Sequence, residues 1–489
     1  MKYLLYNFKY FIKKIIKSTQ ILSLFQKIYY RLLDMILKRQ GKDRLQRTKL
    51  LFEKSFCELE DVKKNIRAQN VILIFGHIAS FDKGSCSYLN CLAEHMPDYQ
   101  FVLLSETPRL KEDNIKKIFL GEIAILHRAA INRGYDPYLC VDLDEESKHI
   151  LDNNIFLSAA IVNLYARFPD MAQGYPEFLI SYYYKYLKKA LDIFEPQKVI
   201  IWNKFSATHD VMCHLCGLYK IQPVFMEFGV LPGTFSLETY GQMGESEVAI
   251  KYDEFLKKSV SEEEIKKAQE IINYIYESRL NRNIQPKNNE LKKVYSRIIK
   301  GSPVITYFGQ NDFESGLFPY NQTTRNLHSP IYKSSIEPLQ DLAEFQEKYG
   351  WNVIFKPHPS MINYSNKETV PKNIIIAHDV DIHDLIDLSD VVITILSQCS
   401  YEALIRETPV IMLGYNQLKG KGCTYEAFER TRFEETLIEA VKSGLTETQK
   451  KAFAFHVAQL LKYYLYDDNI NRRMRYGKTI EECLQFIKN

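Results

Sequence analysis

The chain has 489 residues, of which 46% are hydrophobic and 25% are charged, a composition typical of globular proteins and not of disordered ones. At about 150 residues per domain, this length predicts two or three domains. The formal net charge of +4 is uneven, because residues 1–40 hold nine Lys or Arg and one acid, which leaves −4 for the remainder. A mildly acidic body argues against nucleic acid as a partner.

The N-terminal arm shows a basic amphipathic pattern. Its longest uncharged run, Ser18–Gln26, is well short of the roughly 20 apolar residues that a membrane-spanning helix needs. We predict a helix that lies on the anionic inner face of the cytoplasmic membrane, so that the protein is cytoplasmic and peripherally bound. Packing of the same apolar face on the body is the alternative. The apolar positions at helical spacing are Leu5, Phe8, Phe11, Ile12, Ile15, Ile16 and Leu22.

Short apolar runs alternate with helical stretches up to about residue 252. The runs VILIF, FVLLS, VIIWN and PVFMEFG predict strands, whereas residues 113–135 indicate helix and loop, and the Tyr-rich stretch 154–193 predicts one long helical region. A helix from Asp210 to Leu218 follows the third of these strands. Alternation of this kind is typical of a parallel α/β sheet.

The same alternation returns after residue 300. Strands are predicted at PVITYFG, NVIFKPHP, NIIIAHD, VVITILS and PVIMLG, with helices at Ile336–Lys348, DIHDLIDLSD and SYEALIRE, and helix from residue 430 to the end. The segment between the two patterns is rich in Lys, Glu, Asn and Gln, which is typical of an exposed helix and a polar linker.

We therefore predict an α/β protein with two doubly wound Rossmann-like domains that face a central cleft. Residues 1–45 are the basic arm, 46–252 the first Rossmann-like domain, 253–300 a helical linker, and 301–489 the second Rossmann-like domain. The terminal helices are expected to pack back on the first domain. In such sheets a ligand binds at the carboxyl ends of the strands, which places the site between the two domains.

In the first domain Glu227 follows an apolar strand and precedes Gly229, in a tight loop. A carboxylate in that position suits a general base. His77 and Asp82, in the loop after the first strand, are weaker acceptor-side candidates together with Gly229, and Asp82 reads equally well as a turn acid.

In the second domain Lys356 and His358 stand at a strand end between two prolines. Proline fixes the backbone of such a loop, which leaves the two side chains available to an anionic group such as a nucleotide phosphate. Gln310 and Asp312, in GQND, follow an earlier strand of this domain and are expected to face the same cleft. A polar turn is the alternative for that pair.

A Ser-rich helix start follows the strand VVITILS. Ser397 and Ser400 lie at the turn, and Glu402 lies in the first helical turn. Helix N-termini bind phosphate through free N–H groups, and a carboxylate there can accept from ribose hydroxyls. Helix capping by the same residues is an equal alternative.

Across residues 195–425 these segments resemble the capsule polysaccharide biosynthesis proteins, a family of Kdo transferases. The resemblance is carried, in order, by VIIWN, EFGVLPGTFSLETYGQMGES, GQND, FKPHP, SQCSYEALIRETPV and GYNQLKGKGCT. The resemblance implies a GT-B glycosyltransferase with CMP-Kdo as the donor, a nucleotide held against His358, Ser397, Ser400 and Glu402, and Glu227 in the acidic catalytic position.

This chain departs from the family pattern in two places. The retaining branch carries an Asp directly after the acidic residue, and here that position is Phe228, which removes a carboxylate nucleophile. The aromatic block after the last glycine strand is replaced by NQLKGKG, which leaves the donor open. We expect catalysis by Glu227 and His358 with no metal and no cofactor, because the one D-x-D of the first domain, Asp142 to Asp144, falls in a predicted loop.

Two other readings stay open at this point. A CDP-glycerol or CDP-ribitol phosphotransferase of the teichoic-acid type shares the domain plan, a similar His-Pro loop and a Ser-rich helix start. A non-catalytic scaffold recruited to the membrane would keep the fold without turnover. In the favoured reading the partners are a nucleotide-sugar donor, a polysaccharide or lipid-linked saccharide acceptor, and the inner-membrane surface, which is met by residues 1–40.

Overall fold

The computed structural model describes most of the chain beyond the N-terminal arm. The described residues are 44–66, 70–76, 89, 92–105, 118–122, 142–169, 171–282, 285–286, 290–361, 370–468 and 473–488. The predicted helix of residues 1–40, His77 and Asp82 lie outside them. Within this part of the chain no helix is both long enough and apolar enough to cross a bilayer.

The first sheet has seven strands in the order β13-β6-β5-β4-β1-β2-β3. Strands β1 to β5 are parallel, and β6 and β13 are antiparallel to their neighbours. The bounds are β1 Asn70–Gly76, β2 Tyr99–Ser105, β3 Ile118–Glu122, β4 Lys198–Trp202, β5 Pro223–Phe228, β6 Thr234–Glu238 and β13 Leu465–Asp467.

The predicted strands of the first domain are confirmed, with two exceptions. Residues 118–122 form β3, where helix and loop were expected, and the hairpin partner β6 was not predicted. The single helical stretch expected over 154–193 is two helices separated by a turn, in which Gly174 has φ +79°. The helices are α1 Arg44–Asn65, α2 Glu145–Asn153, α3 Leu157–Arg167, α4 Tyr175–Phe194 and α5 Ala207–Leu218.

Tyrosine supplies much of the first core. Tyr175, Tyr183 and Tyr186 of α4 are fully buried against the sheet, together with Phe75 and Phe178. The abundance of tyrosine in this segment is therefore explained by packing, because each ring removes a large apolar area from water.

The second sheet has six parallel strands in the order β12-β11-β10-β7-β8-β9. The order reverses direction at β7, which is the pattern of a doubly wound fold. The predicted α/β fold class with two Rossmann-like domains is confirmed. The bounds are β7 Val304–Phe308, β8 Asn352–Lys356, β9 Ile375–Ile376, β10 Val391–Thr394, β11 Val410–Met412 and β12 Tyr425–Glu426.

Ten helices are described along the chain between strands β6 and β13. The connecting helix that begins at Glu262 has a capping box made by Ser261 and Glu264, and it ends at Arg279, where φ is +48°. Its apolar face is buried in the second core with Phe453 and Val457. The bounds are α6 Glu247–Ile250, α7 Tyr252–Leu256, α8 Glu262–Ser278, α9 Leu291–Arg297, α10 Gln322–Leu327, α11 Pro338–Tyr349, α12 Ile382–Leu388, α13 Cys399–Ile405, α14 Arg430–Ser443 and α15 Glu447–Tyr463.

The C-terminal segment crosses back to the first sheet. The expectation of continuous helix after residue 430 is wrong at 465–467, because β13 pairs with β6 there. Helix α16, Ile480–Lys488, then packs Cys483, Leu484 and Ile487 against the first sheet. Both domains therefore share the end of the chain.

Candidate active site

Glu227 lies near the end of β5, where the first sheet faces the second domain. The strand forms because Val224, Phe225 and Met226 are buried on its two faces. The carboxylate of Glu227 is buried within hydrogen-bonding reach of the Asn203 side chain, and its Oε2 atom has no well-aligned donor among the described residues. Burial raises the pKa of Glu227 to about 7, while the charge of Arg282 opposes the rise. This carboxyl group can therefore exchange a proton near neutral pH.

His358 lies two residues beyond β8, in the second domain. Its backbone packs against Gly309, where a Cβ atom would come 3.6 Å from the nitrogen of His358. Burial lowers the pKa of His358 to about 4, the charge of Glu314 opposes the shift, and the charges of Arg282 and Arg167 add to it. At neutral pH the ring is uncharged, so it acts on a ligand as a hydrogen-bonding group.

The same charged side chains surround both residues. Arg282 and Glu314 shift the pKa of Glu227 and also that of His358. Glu314 forms an ion pair with Arg167 of α3, with Nη2 and Oε1 2.6 Å apart. The structure therefore brings the two predicted catalytic residues into one site between the domains.

Arg282 and Glu314 were missed by the sequence analysis. Arg282 stands in the polar connector, and its guanidinium lies over the ring of Phe228, with 5.0 Å from Cζ to the centroid. It donates a hydrogen bond to Gln398 at the start of α13. No sequence signal marks either residue, because a single Arg in a polar linker and a single Glu in a turn are ordinary there.

The other predicted residues of the second domain lie around this centre. Gln310 accepts from the backbone N–H of Leu396 at 3.2 Å, and Asp312 accepts from that of Ser335 at 3.0 Å. Both therefore hold the loop that carries Glu314. Lys356 donates to the carbonyl of His378 at 3.1 Å, and burial lowers the pKa of Lys356.

Ser397 and Ser400 bond within the start of α13. The hydroxyl of Ser400, which is fully buried, donates to the carbonyl of Ser397 at 2.8 Å. The Ser397 hydroxyl accepts from the N–H of Cys399 at 3.3 Å. Glu402 accepts from Asn281 at 3.3 Å and lies 3.4 Å from the Nε2 atom of His383. The two serine contacts stay within the turn before α13, whose N-cap residue, Gln398, makes no side-chain capping bond, and the contact with Asn281 places Glu402 beside the connector.

Gly229 shapes the hairpin that follows Glu227. Its N–H donates to the carbonyl of Thr234 at 2.8 Å, and a Cβ atom at position 229 would come 2.0 Å from the Thr234 Oγ1 atom. Only glycine fits this turn, so Gly229 fixes the direction in which the chain leaves Glu227.

Two further carboxylates of the same sequence block have structural partners. Glu238 accepts from the Tyr464 hydroxyl and from the N–H of Glu247, and burial raises its pKa to about 8. Glu245 pairs with Lys204 and lies 3.1 Å from Nε2 of His328. These contacts tie the hairpin region to the second domain.

The Asp142 and Asp144 pair does not form a metal site in the described residues. Asp144 accepts from the N–H of Ser147 at 2.9 Å and caps α2. Across the described ranges, no three His, Cys, Asp or Glu side chains are grouped as a metal ion would require.

The fold described above is that of a two-domain α/β protein in which ionisable side chains of the two domains meet, as in the ion pair of Arg167 and Glu314. Residues 326–461 match the family model of capsule polysaccharide biosynthesis protein. The family resemblance predicted from the sequence is thereby confirmed for the second domain. No curated protein matches the chain.

Solved structures give weaker likenesses. Thermosulfurimonas dismutans KpsC, beta Kdo 2,7 transferase, has 16% identity and a TM-score of 0.37 over 62% of this chain and 89% of its own. The beta Kdo 2,4 transferase of the same KpsC has 15% identity and a TM-score of 0.38 over 53% and 79%. Methanocaldococcus jannaschii UDP-GlcNAc 2-epimerase has 13% identity and a TM-score of 0.35 over 81% and 100%. Similarities at this level carry no argument about the chemistry.

Proposed function

We propose that this protein is a glycosyltransferase that moves a sugar from a nucleotide-activated donor, CMP-Kdo or a related one, to a capsule or other surface acceptor. The observation that supports this function best is the buried carboxyl of Glu227 with a pKa of about 7, beside Arg282 and Glu314, which also surround His358. The family match of the second domain favours capsule synthesis as the setting.

Glu227 is proposed as the general base. As the acceptor hydroxyl oxygen bonds to the anomeric carbon of the donor, its proton passes to the carboxylate of Glu227. The bond from that carbon to the nucleotide phosphate oxygen breaks, and the nucleotide leaves with the electron pair. The buried Oε2 atom, which has no well-aligned donor among the described residues, is the acceptor atom for this proton.

The second domain is proposed to bind the nucleotide. His358 donates or accepts one hydrogen bond as a neutral ring, while Lys356 contributes positive charge at the same loop. Ser397, Ser400 and Glu402 form the helix start on which a phosphate and a ribose would rest.

Gln310 and Asp312 position the loop that carries Glu314 on the donor side of the site. With these fixed dipoles in place, we propose transfer that needs no metal ion. On the acceptor side, His77, Asp82 and Gly229 remain the proposed residues.

We also propose that the protein works in the cytoplasm at the inner face of the membrane, with residues 1–40 on the lipid surface and a polysaccharide or lipid-linked saccharide as acceptor. Lys13, Lys14 and Lys17 changed together to Glu would remove the attraction to anionic lipid. Co-flotation of the full chain with phosphatidylglycerol vesicles, but not of this variant, is expected. Equal flotation would contradict the membrane role.

Thermal unfolding with CMP, CDP, UDP and GDP tests the donor class. A nucleotide at 100 times its Kd adds roughly 2.7 kcal/mol of stability, which a melting curve resolves. Kdo transfer from CMP-Kdo to a lipid-linked acceptor, unchanged by EDTA, is the expected result.

Polyol-phosphate transfer from CDP-glycerol or CDP-ribitol instead would replace this function with the teichoic-acid type. Nucleotide binding without turnover across an acceptor panel would favour the scaffold.

A further inference from the structure

Arg282 is a cation held at the point where both domains and their connector meet. It follows α8 by four residues and shifts the pKa values of Glu227 and His358. Arg282 therefore acts both on Glu227 and on His358, which stands on the proposed nucleotide side of the site.

Two neutral groups hold the guanidinium of Arg282 in place. The ring of Phe228 lies beneath it at 5.0 Å, and the side-chain oxygen of Gln398 accepts one of its hydrogen bonds. Gln398 also donates to the backbone carbonyl of Phe228 at 3.4 Å. The Phe228 ring is fixed in turn by Trp202, which meets it edge-on at 5.1 Å.

No carboxylate among the described residues lies within ion-pair distance of Arg282. Glu227 and Glu402 act on it only through longer-range attraction, and only one of its five donor N–H groups bonds to a described side chain. By contrast Arg167 and Arg279 both have carboxylate partners, Glu314 for the first and Asp384 for the second. Among these three arginines, Arg282 is the one equipped to bind an anion from solution.

We propose that Arg282 binds the anionic group of the donor, presenting its planar N–H groups to a phosphate or carboxylate while Phe228 and Gln398 fix its orientation. This inference rests on the proposed function and adds a ligand-binding residue to it. An arginine fork suits both anions because their oxygens match its spacing.

The type of residue at position 228 determines whether the charge of Arg282 is available to a ligand. An aspartate at this position would lie against Arg282 and neutralise it, whereas an aromatic ring supports the guanidinium and leaves its charge for the ligand. Phe228 thus has two consequences. It leaves this chain without a carboxylate nucleophile at position 228, and it keeps the charge of Arg282 available to a ligand.

Binding of CMP, cytidine and CMP-Kdo to the full chain, measured by calorimetry, tests the inference. Arg282→Ala is expected to weaken CMP about tenfold or more and to leave cytidine unchanged, because cytidine has no phosphate. Loss confined to CMP-Kdo, with CMP unaffected, would identify the carboxylate of the sugar as the bound anion. Phe228→Asp is expected to weaken the same ligand as Arg282→Ala.

Arg279→Ala is the matched control, because it removes from the same connector an arginine that is already ion-paired with Asp381 and Asp384. It should bind CMP as the wild type does. Arg282→Lys should recover part of the CMP affinity that Arg282→Ala loses. A merely structural role of Arg282 would not produce a loss that is specific to the charged ligand.

The outcomes separate the two proposals. If Arg282→Ala binds both CMP and CMP-Kdo as tightly as the wild type does, the role of Arg282 is overturned and the glycosyltransferase stays intact. Equal loss of cytidine and CMP affinity also overturns it, since that would reflect distortion of the site. Wild-type protein that binds neither CMP nor CMP-Kdo overturns the CMP-linked function and this inference together.

Discussion

Glu227 lies in a strand of the first sheet and His358 follows a strand of the second, 131 positions further on, yet the pKa of each is shifted by the same two side chains, Arg282 and Glu314. The carboxyl has its pKa raised toward 7, and the imidazole has its pKa lowered to about 4. Near neutral pH the acid is thus partly ionised and the ring is uncharged, which favours the proposed roles of Glu227 in proton transfer and of His358 in neutral hydrogen bonding.

Glu227→Gln should abolish most of the transfer activity while leaving nucleotide binding intact. General bases contribute roughly 10²- to 10⁴-fold to rates, so kcat should fall within that range. In the wild type kcat should fall as the pH drops below about 7, because the carboxylate becomes protonated there. A rate that is constant from pH 5.5 to 8, or a variant with normal kcat, would contradict the assignment of the base.

The same substitution should also stabilise the fold at alkaline pH. The pKa of Glu227 is raised from 4.5 to about 7 on folding, so wild-type stability falls as the pH rises between these two values. Glu227→Gln removes this loss, and its melting temperature should exceed that of the wild type by more at pH 8 than at pH 4. Melting curves at the two pH values measure the difference.

His358→Ala should weaken nucleotide binding about tenfold through the loss of one hydrogen bond. Because the pKa of His358 is about 4 in the folded protein, the loss of affinity caused by His358→Ala should be the same at pH 5.5 and at pH 8. His149→Ala, on the exposed face of α2, is the control and should bind normally. A loss that becomes larger below pH 6.5 would show a charged imidazole instead.

Much of this architecture follows from the sequence because short apolar runs identify buried parallel strands well. The run VVITILS, for example, contains β10, and Val391, Val392 and Ile393 are all fully buried. Strands β6 and β13 were not predicted, because their sequences, TFSLE and LYD, are short and mixed in polarity. They pair with segments that are distant in the chain or lie across a tight turn. Strands of this kind are decided by tertiary pairing.

The candidate site could be predicted in part for the same reason. Strand-end residues such as Glu227 and His358 can be read from sequence, since parallel strands bring their carboxyl ends to one edge. Arg282 could not, because its position depends on how the connector passes between the domains. The bond that the Ser400 hydroxyl donates to the Ser397 carbonyl inside the helix start could not be predicted either, because it depends on the local backbone of the turn.

Glu314→Gln should move the pH dependence of the reaction. The negative charge of Glu314 raises the pKa of Glu227, so its removal lowers that pKa and shifts the acidic limb of the kcat profile to lower pH. Arg282→Ala should shift the limb in the opposite direction, because Arg282 lowers the same pKa. Glu146→Gln, which removes an exposed carboxylate paired with Lys185, is the control and should leave the profile in place. If the acidic limb of the kcat profile falls at the same pH in all variants, Glu314 and Arg282 do not set the pKa of Glu227.

Gly229→Ala should destabilise the hairpin and reduce activity together. The new methyl group would lie 2.0 Å from Thr234 Oγ1 and 2.9 Å from the Thr234 carbonyl carbon, so the turn must open. Overpacking of this kind costs about 1–3 kcal/mol and would displace Glu227, the second residue before the turn. Thr234→Ala removes Oγ1, the atom closest to the new methyl group, although this hydroxyl also donates to the Leu231 carbonyl at 2.7 Å. The double variant should therefore lose less stability and activity than the sum of the losses in the two single variants. Urea unfolding and transfer rates of the four proteins measure this coupling, and strictly additive losses would show that the collision at Thr234 does not explain the effect.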